Sequence, residues 1–263
     1  MKYVLVTGAY GGMGRKTVER LKDSGYRVFA LDKRVESPVE NVVTIEADLT
    51  KESDVIGAFD KVTAVTDELY AIIHFAGIYM LDSLVEMSGD DLKRAFEINV
   101  LGAATVNRVF LPMLKKGSRI LMTTSELAPL DPLPFTGLYA VTKRALDSYA
   151  YSLRMELQLL GIRVSVLRAG AVDTGMLGVS TDALDSFCEK TKLYSCNARR
   201  FKKIVETVEA RCVPPERIAV RAVSIIEKKR PRFAYGINRN PLLIMLNIMP
   251  KGFRFWIIKQ VLK

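Results

Sequence analysis

At 263 residues, 49% of them hydrophobic and with a mean hydropathy of +0.13, the chain can bury a sizeable core, which excludes global disorder. A single histidine, His74, and three cysteines, Cys188, Cys196 and Cys212, without CxxC or His-paired spacing leave no material for a zinc site or a Ser-His triad, so no metal is expected. The net charge of +10 is confined to one end: residues 1–180 carry 21 basic and 22 acidic side chains, residues 181–263 carry 18 and 7.

In chain order, Lys2–Thr7 is a short β-branched apolar run, read as a buried strand. Thr7-Gly8-Ala9-Tyr10-Gly11-Gly12-Met13-Gly14 follows, and a helical pattern then runs through Val18 and Leu21 to Gly25. Strand, glycine turn and helix in that order make a cradle for a dinucleotide pyrophosphate. The glycines let backbone approach the phosphates, and the helix N-terminus offers free N–H groups. Tyr26–Leu31 is the second strand and ends on Asp32, eighteen residues after Gly14. A carboxylate there accepts both hydroxyls of an adenosine ribose and repels a 2′-phosphate, favouring NAD over NADP. Lys33 and Arg34, next in the chain, supply charge that offsets the repulsion. Val42–Ile45 is the third strand and runs into Ala47-Asp48-Leu49. Residues 51–66 read as a helix, and Leu69–His74 as a fourth strand before Phe75-Ala76-Gly77.

Residues 90–116 read as one long helical region with Asn99 in an apolar stretch. A buried amide needs partners, so Asn99 is either a satisfied core amide or part of a polar relay. Arg119–Thr124 is the fifth strand and leads into the hydroxyls of Thr123, Thr124 and Ser125. A helix over about 137–160 carries Tyr139 and Lys143 one turn apart on one face. A cation beside a phenol favours the phenolate and lowers its pKa from the usual ~10, which suits proton exchange with an alcohol or ketone oxygen. A core tyrosine with a solvated lysine is the other reading of that spacing. Ile162–Leu167 is the sixth strand and Arg232–Tyr235 the last. The alternation predicts a single α/β domain: a doubly wound parallel sheet, helices on both faces, the ligand at the carboxyl ends of the strands.

Thr-Gly-x-x-x-Gly-x-Gly at 7–14, Asp48, Ala76-Gly77, Asn99, a serine before Tyr139-x-x-x-Lys143, and Arg168–Thr174 stand in an order that resembles the short-chain dehydrogenases/reductases over roughly residues 3–175. The style is closest to hydroxysteroid- and retinol-dehydrogenase-like members. The resemblance implies a Rossmann-type fold and an NAD(P)-dependent oxidoreductase. It makes Tyr139 the acid/base, lets Lys143 lower its pKa and hold the nicotinamide ribose, has Ser125 orient the substrate oxygen, and has Asn99 fix a water in a proton relay. Gly8, Tyr10, Gly12, Met13 and Gly14 would surround the pyrophosphate, Asp32 and Lys33 the adenosine ribose, Asp48 and Leu49 the adenine. Thr174 and the backbone of Val172 would anchor the nicotinamide amide, and Ala76 and Gly77 would also contact the cofactor. Two departures stand out: His74-Phe75 replaces the usual Asn-Asn before Ala-Gly, and Ser125 lies fourteen residues before Tyr139 rather than about thirteen, which leaves Thr124 as a second candidate for its role. His74 is read as support for the sheet edge.

Residues 1–175 are thus expected to form the cofactor-binding and catalytic core, and 176–263 a helical lid and tail that choose the substrate. Leu177, Val179, Leu184, Phe187, Leu193, Tyr194 and Phe201 are available to line it, with Gly175 and Gly178 as hinges. Pro241–Met249 and 252–262 are apolar and bracketed by basic residues, open to three readings: core or subunit packing, a lipophilic substrate mouth, or a membrane-surface helix. The expected substrate is a bulky lipophilic alcohol or ketone, steroid- or retinoid-like, with the basic excess suggesting an anionic group on it. A 3-oxoacyl-type reductase and a non-catalytic cofactor sensor are the alternatives. No apolar run reaches the ~18–20 residues of a membrane span and no leader is read at the start, so a cytoplasmic protein is expected. The resemblance implies a homodimer or homotetramer, paired through the helices at 90–116 and 137–160. Nucleic-acid binding is not expected, because no basic face is interleaved with aromatics.

Overall fold

The computed structural model describes residues 1–37, 39–209 and 211–263, without the side chains of 176–182 and 206–209. The aliphatic runs form strands β1 (Tyr3–Thr7), β2 (Arg27–Asp32), β3 (Val42–Glu46), β4 (Leu69–His74), β5 (Leu114–Ser125), β6 (Arg163–Ala169) and β7 (Ala234–Ile237). They pair side by side, all parallel, in the order β3-β2-β1-β4-β5-β6-β7. The order reverses direction between β1 and β4, and a ligand crevice belongs outside the carboxyl ends of those strands.

Both faces of the sheet are covered, which is why its strands read as unbroken apolar runs. Along β1 and β2 successive side chains part company. Val4, Val6, Val28 and Ala30 pack under α1 (Gly12–Asp23) and α8 (Pro215–Glu227), while Leu5, Phe29 and Leu31 pack with α2 (Glu52–Thr63), α4 (Gly102–Phe110) and α5 (Gly137–Leu157). A third cluster, Leu81, Leu184, Phe187, Ala198, Phe201 and Leu262, joins α6 (Gly175–Lys190), α7 (Ser195–Glu209) and the C-terminal α10 (Lys251–Leu262) over the crevice. Phe135, whose backbone is left-handed at φ 64, puts its ring 4.7 Å from Phe187 and 5.4 Å from Phe201, so the loop before α5 anchors this lid. Of the expected lid residues, Leu184, Phe187, Tyr194 and Phe201 belong to this cluster and Leu193 is exposed. Leu177, Gly178 and Val179 lie outside the described side chains.

Three expectations change. The helix expected over 90–116 is α3 (Gly89–Phe96), a π-helical turn at Glu97–Leu101, and α4, closed by a short turn at Leu111–Met113. Pro112 cannot continue the ladder, so Leu114 is already extended and β5 begins there. The last strand starts two residues late, at Ala234. His74 is not at an edge: β4 lies between β1 and β5, and its ring bridges Thr7 Oγ1 at 3.3 Å and Asn107 Oδ1 at 3.0 Å. Burial lowers its pKa to about 4, so the ring is neutral and joins the sheet to α4.

A second buried polar link fixes α5. Asp147 accepts from Arg168 Nε at 2.9 Å and Nη2 at 2.7 Å, and from Thr124 Oγ1 at 3.1 Å. Removing the carboxylate strands a largely buried guanidinium. Asp147→Ala is therefore expected to cost about 2–4 kcal/mol of unfolding free energy in urea titration, against about 0.5 kcal/mol or less for an ordinary surface change.

Candidate active site

The glycine turn is fixed by contact. Gly8 sits at φ 65, where a Cβ would meet the Ala76 backbone nitrogen at 2.5 Å; a Cβ on Gly14 would collide with the Gly8 carbonyl. One on Gly12 would fall 2.6 Å from Thr174 Cγ2. The turn, the start of α1, the 75–77 segment and Thr174 thus converge at the carboxyl end of β1, with backbone N–H groups at the mouth of α1. No side chain caps that helix start. Such a cradle fits a dinucleotide pyrophosphate.

Beyond the cradle, Asp32 accepts from Tyr10 N at 2.9 Å and from Lys33 N at 2.8 Å, and the Tyr10 hydroxyl meets Thr44 Oγ1 at 2.6 Å. Lys33 turns away from Asp32 and pairs with Asp48 at 2.8 Å. Asp48 also accepts from Thr50, and chiefly through the Lys33 contact its pKa falls to about 2. The Asp48 carboxylate is thus held by the chain itself. Arg15 pairs with Glu36. Leu49 packs against the start of α4, where Gly102 leaves room for its Cβ.

The catalytic candidates meet in a cavity of about 210 Å³ lined by Met13, Gly77, Ser125, Tyr139, Lys143, Val172 and Thr174, and roofed by Phe201, Val205 and Leu243. Ser125 lies at the end of β5 with its hydroxyl on Tyr139, whereas Thr124, one residue earlier and so on the opposite face, is taken by Asp147. Both residues line the cavity, but it is the Ser125 hydroxyl that bonds Tyr139. Lys143 is buried, its Nζ 5.7 Å from the Tyr139 ring centre and donating to the Thr123 carbonyl at 3.2 Å.

The expected electrostatics are reversed in the protein alone. Desolvation outweighs attraction, so burial pushes the Tyr139 phenol up to about 12, against the Ser125 hydrogen bond, and pushes Lys143 down to about 8. Asn99 is a satisfied buried amide, the first of the two readings its sequence position allowed. Its amide nitrogen donates to Ile78 O at 3.0 Å and Thr142 Oγ1 at 3.0 Å, and its oxygen accepts from Ile78 N at 2.7 Å. Both amide hydrogens are committed within the chain, and the side chain clamps the 77–78 segment to α5. The π-helical turn is what aims it there. Gly77 lies between, and a Cβ on it would meet Asn99 Oδ1 at 3.1 Å and Lys143 Nζ at 3.2 Å.

Sequence reasoning passed over two side chains here. The Tyr79 ring lies 4.7 Å from that of Tyr139, and Glu126 lines the cavity with a carboxyl whose pKa burial raises, accepting from Asn240 N at 2.5 Å. Their adjacency to Gly77 and Ser125 was the available signal. Among the described residues no cluster of metal ligands occurs.

The family model described as short chain dehydrogenase matches residues 2–185. Over 213 residues the chain is 30% identical to the 3-amino-tetrahydro-pyrrolizinone reductase of Xenorhabdus hominickii, covering 77% of this chain and 74% of that one. It is 32% identical over 193 residues to estradiol 17-beta-dehydrogenase 2 of Mus musculus, covering 67% of this chain and 50% of that protein. In fold it is similar to the solved 3-ketoacyl-(acyl-carrier-protein) reductase of Brucella melitensis complexed with NADH, at TM-score 0.74 and 21% identity over 90% of this chain and 98% of that one.

An unfolded lysine keeps its proton to about pH 10.5, whereas folded Lys143 releases it above about 8. The unfolded state therefore binds more protons between those values, and Lys143 depresses stability below pH 8, a penalty lost as pH rises to about 10.5. Lys143→Met is expected to stabilise the cofactor-free protein by about 2–3 kcal/mol at pH 7 and by little at pH 10.5. Paired urea titrations at the two pH values check it.

Proposed function

The chain belongs to the short-chain dehydrogenase family and is an oxidoreductase, and we propose that it interconverts a secondary alcohol and a ketone on a bulky lipophilic substrate, with NAD as the preferred cofactor. The observation that carries this reading is the meeting of Ser125, Tyr139 and Lys143 in one largely apolar cavity beside the glycine cradle. The nicotinamide group supplies or removes the hydride. The protein handles the proton. A phenol held up at about 12 is an acid at neutral pH, ready to give its proton to a carbonyl oxygen that Ser125 Oγ also holds. A protonated Lys143 then stabilises the phenolate left behind, and in the opposite direction favours the phenolate that takes the alcohol's proton. Asn99 positions the 77–78 segment and α5 around them.

The cavity lining speaks for a neutral lipophilic substrate. Its charged members among the described residues are Glu126 and Lys143, and the basic excess of residues 181–263 does not reach it. A carboxyl in the wall disfavours an anionic group, so an acidic substrate is not expected. NAD preference is supported by Asp32 with two of its neighbouring cations occupied: Lys33 is on Asp48 and Arg15 on Glu36. Exposed Leu101 just before α4, Val141 and Met155 on α5, and Leu159 just beyond it suit that region to pairing with a second copy.

Tyr139→Phe is expected to lower kcat about 10²–10⁴-fold while NADH titration stays unchanged, measured with whichever ketone a panel of steroids, retinoids and acyl ketones selects. Unchanged turnover would remove Tyr139 as the acid/base, NADH binding with no turnover of any panel member would point to a cofactor-binding sensor, and a panel response confined to polyols would remove the lipophilic reading. Asp32→Ser should shift the NAD-to-NADP ratio of kcat/KM toward NADP about tenfold or more, the worth of one close charge repulsion of ~1.4 kcal/mol.

A further inference from the structure

The chain ends in two short helices, α9 (Pro241–Ile248) and α10, whose orientation is fixed from inside. Arg254, 4% exposed, pairs with Asp131 at 2.5 Å and donates to Asn247 Oδ1 at 3.1 Å, Leu262 is buried in the lid cluster, and Asn197 holds the Leu262 carbonyl at 2.6 Å. With those contacts made, a row of large apolar side chains is left outside. Leu242, Met245 and Ile248 recur every third residue on one face of α9, each more than half exposed and Ile248 80% exposed. On α10, Phe253 and Trp256 stack at 5.8 Å, and they and Phe255 are each more than half exposed. A patch this apolar is not indifferent to water.

The stretch of chain that builds it has one sign, and the carboxylate against it, Asp131, is neutralised by Arg254. Glu227 is the last acidic residue of the chain, and residues 228–263 carry nine basic ones. Arg239, Lys251, Lys259 and Lys263 are exposed around the patch. We propose that α9 and α10 dock the protein on the surface of an anionic lipid bilayer, the aromatic and aliphatic side chains entering the headgroup boundary and the lysines meeting lipid phosphates. The charge pattern selects this occupant. A symmetric pairing through the same face would set one basic rim against another, whereas an anionic lipid surface meets it with opposite charge, each basic residue strengthening binding about fivefold. The helices lie on the bilayer and do not cross it: they have 8 and 12 residues, and no described helix is long and apolar enough to span. Leu243, beside the outward-facing Leu242, lines the catalytic cavity, so docking places the cavity roof against the bilayer. That last step alone rests on the lipophilic-substrate reading; the docking does not.

Trp256 is the only tryptophan, so its fluorescence reports on the patch directly. The full-length protein is mixed with phosphatidylcholine vesicles with and without phosphatidylglycerol, and both sedimentation and emission are recorded. The proposal expects co-sedimentation and a blue shift with the anionic vesicles, both weakened as salt rises from about 0.1 to about 0.5 M. The double variant Ile248→Ser, Phe253→Ser should partition about tenfold or more weakly with its circular dichroism and urea midpoint unchanged. No binding to either vesicle, equal and salt-independent binding to both, or undiminished binding by the double variant overturns it. So does a blue shift that grows with protein concentration in the absence of vesicles, which would assign the patch to a second copy. No readout depends on turnover, so a failure of docking and a failure of the proposed activity are separately visible.

Discussion

One desolvated ammonium organises the site. Lys143 Nζ lies buried under α5, with its hydrogen bond to the Thr123 carbonyl at 3.2 Å and Gly77 separating it from Asn99. Four pieces of chain have to meet there: the end of β5, the helix that carries Tyr139, the segment after β4, and the π-helical turn that aims Asn99. Each is held by something other than the lysine, through Asp147 on Arg168, His74 on Asn107, and Asn99 on Ile78 and Thr142. The arrangement stores a charge in an apolar place and supplies it with little compensation. That is unfavourable for folding and suitable for a ligand that brings acceptors of its own.

The same separation of tasks runs through the molecule. The sheet and the helices on its two faces are nearly neutral and spend their apolar residues on two clusters that fix strand ends. Residues after 180 build the lid from a smaller third cluster and put their positive charge outward, away from the cavity. Chemistry and surface attraction thus reside in different parts of one chain. A basic balance in the sequence says nothing by itself about which of two places the charge occupies.

Most of the fold was legible because a parallel sheet buried on both faces leaves a strong one-dimensional mark: short β-branched runs, each followed by glycine or polar residues at its carboxyl end. The errors lie where local and tertiary demands differ. The stretch 90–116 has helical periodicity throughout, yet Pro112 and pairing with β4 draw Leu114 into a strand, and the π-helical turn depends on packing against α5. His74 was identified as structural but misplaced, since its partners are 67 and 33 residues away in the chain.

For the site, the sequence by itself determined which residues gather: a glycine turn after β1, a carboxylate after β2, and a serine, tyrosine and lysine around the start of α5, because spacing and strand ends dictate proximity. Only the tertiary structure decided their electrical state and their outlook. Desolvation reverses the expected shift of Tyr139, the strand face chooses Ser125 over Thr124, Asn99 spends its donors on Ile78 and Thr142, and the basic tail turns outward while Glu126 turns in. Proximity follows from order along the chain; burial, and with it every pKa and every free hydrogen-bond donor, is a property of the surroundings in three dimensions.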